Sequence, residues 1–387
     1  MRSDPVPGAR EGGAPPGGAV GGAVGAPEGP PGFAVLRQAL DGAVAAFLSE
    51  QRARMAGLAP ASARLVDLVE LAVASGGKRL RPMLCYCAYR AAGGAHGPEI
   101  LNASGSLELL HTFAILHDDV MDQATLRRGR PALHRRLADE RRAGGRGEDA
   151  EVFGVSVAVL AGDLALVLSD AMLTSSGFGA AALARAVPAL EQMRRQAIAG
   201  QYLDLAQAGG PPVGAADAVL IGRLKTAGYS VEGPIAVGAA LAAAPEELRS
   251  ALCRYGAAVG EAFFLRDELL GLFGDPEATG KDADSDLRRG KPTSLMADAL
   301  ARSGPAEREV LLGRWGDPDA TVEELAALRA AVASTGALRA AAQSIDALIA
   351  RARECLRDAG VLHEPPGAML AALADRLQMR SLPISLG

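Results

Sequence analysis

FAVLRQALDGAVAAFL, residues 33–48, decides the fold class. Leu36, Leu40, Val44 and Leu48 recur every four residues, the spacing of one helix face rather than of a strand. Upstream, residues 1–32 hold ten glycines and seven prolines and have almost nothing to bury. They read as a disordered tail apart from the fold. Downstream, helical spacing returns at about 61–74, 79–92, 98–122, 153–175, 180–207, 215–243, 246–273, 293–302, 321–335, 337–358 and 366–378. The polar, glycine-containing segments 139–150 and 274–290 read as loops, and no alternating strand stands out. The expectation is one large all-α domain over residues 33–387.

Composition agrees. Of 387 residues 49% are hydrophobic, enough for a sizeable core, while only 4% are aromatic and eight are isoleucine. Abundant alanine and leucine favour helices over a β-sandwich or barrel. A net charge of -5 offers no general attraction to nucleic acid or anionic lipid, so any anion site has to be built locally. Cys85, Cys87, Cys253 and Cys355 lack metal-ligand or disulfide spacing and read as reduced, buried thiols of a cytoplasmic protein. No secretory leader is recognisable. The most apolar run, 155–173, contains Asp163 and Asp170, which argues against a transmembrane segment.

The chemistry is concentrated in LHTFAILHDDVMDQATLRRGRPALHRR, residues 110–136. Asp118 and Asp122 are four apart and share a helix face with His111. Two carboxylates at that spacing repel each other unless a cation lies between them. Hard oxygen ligands with open positions suit Mg²⁺, although a solvated acidic helix end shares the pattern. In GGKRLRP, residues 76–82, glycines precede a helix starting near Lys78, and Lys78, Arg79 and Arg81 add positive charge. That is a reasonable phosphate site, without Walker spacing. Only four of the 40 basic residues are lysines: Lys78, Lys225, Lys281 and Lys291. Because an ammonium is a compact point charge for phosphate, at least the first three are expected to face one site. Asp267, Glu268 and Asp275 form a second acidic cluster, which an amphipathic helix ending in a turn explains equally well.

In this order, the segments resemble the trans-isoprenyl diphosphate synthases (polyprenyl synthetases) over residues 36–380, most closely those that make geranylgeranyl diphosphate. The resemblance implies a helical bundle of the isoprenoid synthase type around a central cavity, acting as a homodimer. It also implies a prenyltransferase that condenses isopentenyl diphosphate with an allylic diphosphate. Lys78, Arg81, His111 and Arg128 would hold isopentenyl diphosphate. Arg127, Gln201, Lys225 and Thr226 would contact the allylic diphosphate, and Lys281, matching the lysine of the loop after the second motif, would bind substrate. Asp118, Asp122 and Asp267 would bind three Mg²⁺ ions. The second motif departs from the family's F-Q-x-x-D-D-x-x-D: Phe264 replaces the glutamine, Glu268 the second aspartate and Gly271 the last, and Asp282 follows Lys281 where proline is usual. A third ion would then rest on Asp267, helped through water by Glu268 or Asp275. Chain length is expected to be set by Phe113, five before the first aspartate, with Ala114 leaving room beside it.

Two competing readings are weaker. A terpene cyclase would also use D-D-x-x-D, but it guides carbocations with aromatic walls, and this chain has one tryptophan. A non-catalytic partner of an active synthase would fit the altered second motif but not the complete first one. Farnesyl or longer-chain synthesis is the nearest alternative within the same reaction.

Overall fold

The computed structural model describes residues 32–210, 212, 214–274 and 283–378. The expected tail, apart from Gly32, lies outside them, as do Asp275, Lys281 and Asp282. The described chain is all-α. In order it forms α1 (Phe33–Leu58), a 3₁₀ turn (Pro60–Ser62), α2 (Ala63–Ala74), α3 (Leu80–Ala91) and α4 (Pro98–Met121). A two-residue-per-strand hairpin, β1 (Leu126–Arg127) and β2 (Arg130–Pro131), leads to α5 (Leu133–Ala143), α6 (Ala150–Thr174) and α7 (Ala180–Gln207). Then come α8 (Ala215–Gly222), a π-helical segment (Arg223–Glu232), α9 (Gly233–Leu241) and α10 (Glu246–Phe273). The chain ends with α11 (Ala283–Arg288), α12 (Ser294–Arg302), α13 (Pro305–Arg314), α14 (Val322–Ser334), α15 (Ala337–Asp358) and α16 (Pro365–Asp375).

α4 is the central helix. It packs on α1, α2, α3 and α6, and every residue from Ala103 to Leu110 is buried. A helix buried all round cannot show one apolar stripe, so small and polar residues fill its crowded side. Ser106 and Ser169 answer that crowding with hydrogen bonds to backbone carbonyls, Ser106 to Ala103 and Ser169 of α6 to Ser106. The anticipated face of α1, Leu36, Leu40, Val44 and Leu48, is buried as the four-residue spacing requires. α10 packs along α15 and against the π-helical segment, while α7 packs on that segment and on α9. The ends of α4, α7, the π-helix and α10 thereby position the acidic and basic groups described below.

Several expectations need correction. Segment 139–150 is not wholly a loop, because α5 runs to Ala143 and is stopped at Gly144. Its buried face, Leu133, Leu137 and Ala138, is short, and arginines and acids dominate the rest of the helix, masking its period. Segment 274–290 contains α11, and α13 escapes a periodicity reading because Leu311 is its one buried residue. The helix expected over 215–243 is present but changes pitch at the π-helical segment. Cys253 is exposed, unlike Cys85, Cys87 and Cys355.

Arg79 is a structural strut rather than a phosphate contact. It is buried and in the left-handed region, φ 50°, just before α3. Its guanidinium donates to Asp41 of α1 at 2.6 Å, to Glu108 of α4 at 2.7 Å and to the Val73 carbonyl at 2.9 Å. Arg79→Ala strands the Glu108 carboxylate in the core, a loss expected to cost about 3–5 kcal/mol. Urea unfolding measures it, and a cost near zero would refute the strut.

Candidate active site

Asp118, Asp119 and Asp122 close the C-terminal turn of α4. Asp118 and Asp122 point toward the cations of neighbouring elements, whereas Asp119, about 100° round the helix, is buried at 2% exposure. Burial pushes the Asp119 carboxyl above the usual carboxylate range, and Arg127 opposes that shift. Arg127 donates through Nε to Asp119 at 2.7 Å and lies 3.2 Å from Asp118 Oδ2. Nothing in the sequence singles out Asp119. Its adjacency to Asp118 conceals that it is the arginine's anchor.

The hairpin separates the two arginines. Arg128 and Gly129 both have positive φ, 54° and 73°, at the centre of its two-residue turn. Arg127 thus faces the acidic turn, while Arg128 donates to the Gly76 carbonyl and to Ser75 Oγ, the latter at 3.2 Å. Arg128 and the GGKRLRP loop therefore lie together, as the sequence reading requires. In that loop Lys78 is exposed, just before α3 begins at Leu80. Partial desolvation and the fields of Arg266 and Arg376 lower its ammonium pKa, and Asp267 opposes them. Arg81 stacks on the Tyr229 ring at 4.5 Å and donates to Ser230 Oγ at 2.6 Å. Tyr229 lies 3.4 Å from His111 Nδ1 and donates to the Leu110 carbonyl at 3.3 Å. Arg81 and His111 are thus brought to one place by a tyrosine that no local motif marks.

The π-helical segment carries Lys225, Thr226, Tyr229 and Ser230. Lengthened i→i+5 pairing is a recurrent feature of functional sites. Lys225 Nζ is 2.6 Å from Asp204 Oδ2 and 3.4 Å from Asp118 Oδ1. Burial lowers its pKa, but the two carboxylates more than compensate and hold it charged. The approach requires glycine: a Cβ on Gly200 of α7 would sit 2.3 Å from the Lys225 backbone nitrogen. Half-buried Thr226 follows Lys225, and Gln201 Nε2 lies 3.8 Å from Met121 sulfur, beside the acidic turn. Asp204, three residues beyond Gln201, is a site residue that sequence reasoning misses.

Lys291 is another. Its Nζ lies 2.8 Å from Asp286 and 3.4 Å from Asp122, while Arg289 Nη2 lies 3.0 Å from the other Asp122 oxygen. Lys225 and Lys291 therefore flank the first acidic motif, Lys78 stands on the Asp267 side, and Lys281 lies outside the described residues. The scarcity of lysine is informative, but the group it marks includes the fourth lysine.

Asp267 is exposed on α10, with Glu268 beside it. Glu268 cannot serve as the expected water-mediated helper. Its carboxylate accepts from Ser294 N–H at 2.9 Å, Ser294 Oγ–H at 2.6 Å and Leu295 N–H at 3.1 Å, capping α12. Burial raises the Glu268 pKa to about 7 against those hydrogen bonds. At the chain-length positions, Ala114 is partly buried and packs in the same hydrophobic cluster as Phe113. Phe113 meets the edge of His117 at 4.8 Å between ring centroids and also packs against a second cluster.

Among the described residues no three acidic, histidine or cysteine side chains close around one point. Asp118 and Asp122 instead offer hard oxygens on one side, which fits Mg²⁺, an ion that takes one or two carboxylates and completes its shell with phosphate and water.

Residues 62–332 match the polyprenyl synthetase family. The chain is 31% identical over 312 residues to the geranylfarnesyl diphosphate synthase of Aeropyrum pernix, covering 80% of this chain and 92% of that one. It is 33% identical over 288 residues to the geranylgeranyl diphosphate synthase of Mycobacterium tuberculosis, covering 74% and 77%. It also resembles the crystal structure of geranylgeranyl pyrophosphate synthase from Corynebacterium glutamicum, complexed with isoprenyl diphosphate and magnesium. There the TM-score is 0.83 at 34% identity, covering 90% of this chain and 99% of that one. With the paired aspartates, the arginine hairpin and the all-α bundle in one arrangement, the chain belongs to the polyprenyl synthetase family of prenyltransferases.

Proposed function

We propose that the protein condenses isopentenyl diphosphate with an allylic diphosphate and releases geranylgeranyl diphosphate. The observation that carries this reading is the meeting of Asp118 and Asp122 with Lys225, Lys291, Arg127 and Arg289 at the end of α4. A diphosphate leaves carbon poorly because negative charge builds on it. Mg²⁺, in a proposed set of three, would neutralise that charge when bound to Asp118, Asp122 and Asp267. Lys225 and Arg127 supply fixed positive charge to the departing pyrophosphate, with Gln201, Thr226 and Lys281 assigned to the same diphosphate. Arg81, Arg128, Lys78 and His111 orient isopentenyl diphosphate so that its double bond attacks the allylic cation. The proton lost from the new chain passes to pyrophosphate.

His111 matters here as a neutral group. Burial first, then Arg81, Arg128, Arg127 and Arg79, depress its pKa well below 6.5. It can therefore add a hydrogen-bonding edge among guanidinium groups without another repelling charge.

A homodimer is the assembly we favour. The outer faces of α6 and α7 leave Val152, Leu160, Val167, Ile198 and Tyr202 exposed, and Arg194 of α7 pairs with Asp170 of α6 at 2.5 Å. α6 is long and apolar enough to cross a membrane. Its inner face, however, packs Ala158, Ala161, Ala165 and Leu168 into the core, so we read it as a bundle helix whose outer side meets a second subunit. Buried Cys85 and Cys87, with pKa values raised to about 12 by burial, suit the reduced cytoplasmic setting we assign.

The purified protein, given isopentenyl and farnesyl diphosphates with Mg²⁺, should produce geranylgeraniol after dephosphorylation. Asp118→Ala should lower kcat at least about a hundredfold, the scale of lost transition-state charge stabilisation. Near-normal turnover in that variant would overturn the assignment. With Phe113 as the proposed floor for the growing chain, Phe113→Ala should lengthen the products, which chromatography reads directly. An unchanged product spectrum would reject Phe113 as the floor. Finally, because His111 has a lower pKa folded than unfolded, its contribution is intact above about pH 6.5 and declines as acid favours the protonated unfolded chain. His111→Asn should flatten part of the fall in urea stability between about pH 7 and 5, whereas an unchanged slope would contradict the neutral histidine.

A further inference from the structure

Arg289 and Lys291 reach Asp122 from either side of a single residue, Gly290. Gly290 is in the left-handed region, φ 59°, and its N–H donates to the Leu287 carbonyl at 3.1 Å, closing the turn that follows α11. Two cations on so short a turn keep their aim only if its backbone is held.

The connection between α13 and α14 holds it. Gly316 N–H donates to the same Leu287 carbonyl at 3.0 Å, and Arg288 donates to the Ala320 carbonyl at 3.2 Å. The two backbones touch: a Cβ at Gly290 would lie 3.0 Å from Gly316 Cα and 3.4 Å from Trp315 Nε1. Gly316 also has positive φ, 76°, so glycine faces glycine across the seam. From the other side Gly209, beyond the end of α7, donates its N–H to the Arg289 carbonyl at 3.0 Å. Trp315, the only tryptophan in the chain, is half-buried and packs against the large hydrophobic cluster that includes Leu287, Leu311 and Leu325. Its Nε1 is buried and has no hydrogen-bond partner among the described residues. A buried indole kept for its N–H would have an acceptor. This one serves by its bulk, anchoring the connection in the core and backing the Gly290 turn.

We propose that Trp315 is a positioning residue for the allylic diphosphate. By wedging the α13–α14 connection against Gly290, it fixes the backbone from which Arg289 and Lys291 reach Asp122. It has no part in the isopentenyl region, which Arg81, Tyr229 and Arg128 build across the hairpin. The inference rests on the prenyl-transfer reading, and the test separates the two.

Calorimetric titration of inorganic pyrophosphate with Mg²⁺ reads diphosphate binding without turnover. Wild-type protein that fails to bind it would overturn the functional reading itself, and this inference with it. Given wild-type binding, Trp315→Ala should weaken pyrophosphate affinity at least about tenfold, the scale of a small misplacement of charged groups. In steady-state kinetics it should raise KM for farnesyl diphosphate by a similar factor and leave KM for isopentenyl diphosphate near the wild-type value. A general loss of stability would not produce that split. Trp315→Phe keeps a flat ring and loses the unpaired N–H, so it should restore most of the affinity. Wild-type affinity in Trp315→Ala, a parallel rise of both KM values, or a Trp315→Phe variant as weak as Trp315→Ala would overturn the proposal. Should Trp315→Ala not fold, Gly290→Ala decides, because its methyl group presses on Gly316 and Trp315 and opens the same seam from the turn side. The same KM split supports the clamp, and wild-type values or a parallel rise refute it.

Discussion

Three carboxylates at the C-terminal end of one helix are the constraint on which the rest depends. Asp118, Asp119 and Asp122 repel one another and also face the negative end of the α4 dipole. Such a turn is tolerable only with cations held against it. The chain supplies them from three separate places: Arg127 from the hairpin, Lys225 from the π-helical segment, and Arg289 with Lys291 from just beyond α11. Much of the bundle outside α4 can be understood as the scaffold that carries those cations to the acids.

The same balance prepares the site for a diphosphate. Lys225 lies between Asp118 and Asp204, and Lys291 between Asp122 and Asp286. Each ammonium is retained near the acids, so positive charge is already in place when an anion arrives and little reorganisation is required. Were Asp118 and Asp122 to hold a divalent ion, as proposed, it would relieve their repulsion and would leave both lysines to phosphate oxygens. Across the hairpin, Arg81 gains its orientation from the Tyr229 face and Ser230, so the region proposed for the second diphosphate is organised by packing rather than by acids. The two regions meet at Arg127 and Arg128, adjacent residues that a left-handed turn sends in different directions.

The helices and the first motif are legible in sequence because both depend on short-range spacing. Leu36, Leu40, Val44 and Leu48 announce a helix face, and Asp118 with Asp122 announces a shared one. What is not legible depends on partners far away in the chain. Nothing local distinguishes Arg79 from Lys78 or Arg81 as a source of positive charge. Only the burial of Glu108 and the approach of Asp41 make it a strut. Asp204 escapes notice for the same reason, and Lys291 is marked only by the scarcity of lysine, since each acquires its role from contacts with residues on other elements. α5 is hidden differently: its buried stripe is too narrow to emerge from so many arginines and acids.

Glu268 shows how an altered motif position takes on a different task. The extra methylene relative to aspartate gives its carboxylate the reach to accept two backbone N–H groups and a hydroxyl at the start of α12. That helix terminus carries partial positive charge, so the acid is well matched to it even though burial lifts its pKa to about 7. Lys291 lies only three residues before Ser294. By fixing the start of α12, Glu268 also limits where the preceding segment can place the Lys291 ammonium, which bridges Asp122 and Asp286. The second acidic motif thus divides its labour: Asp267 stays exposed, Glu268 turns inward to hold the segment that carries the lysine, and the carboxylate of Asp286 fills the space above Gly271.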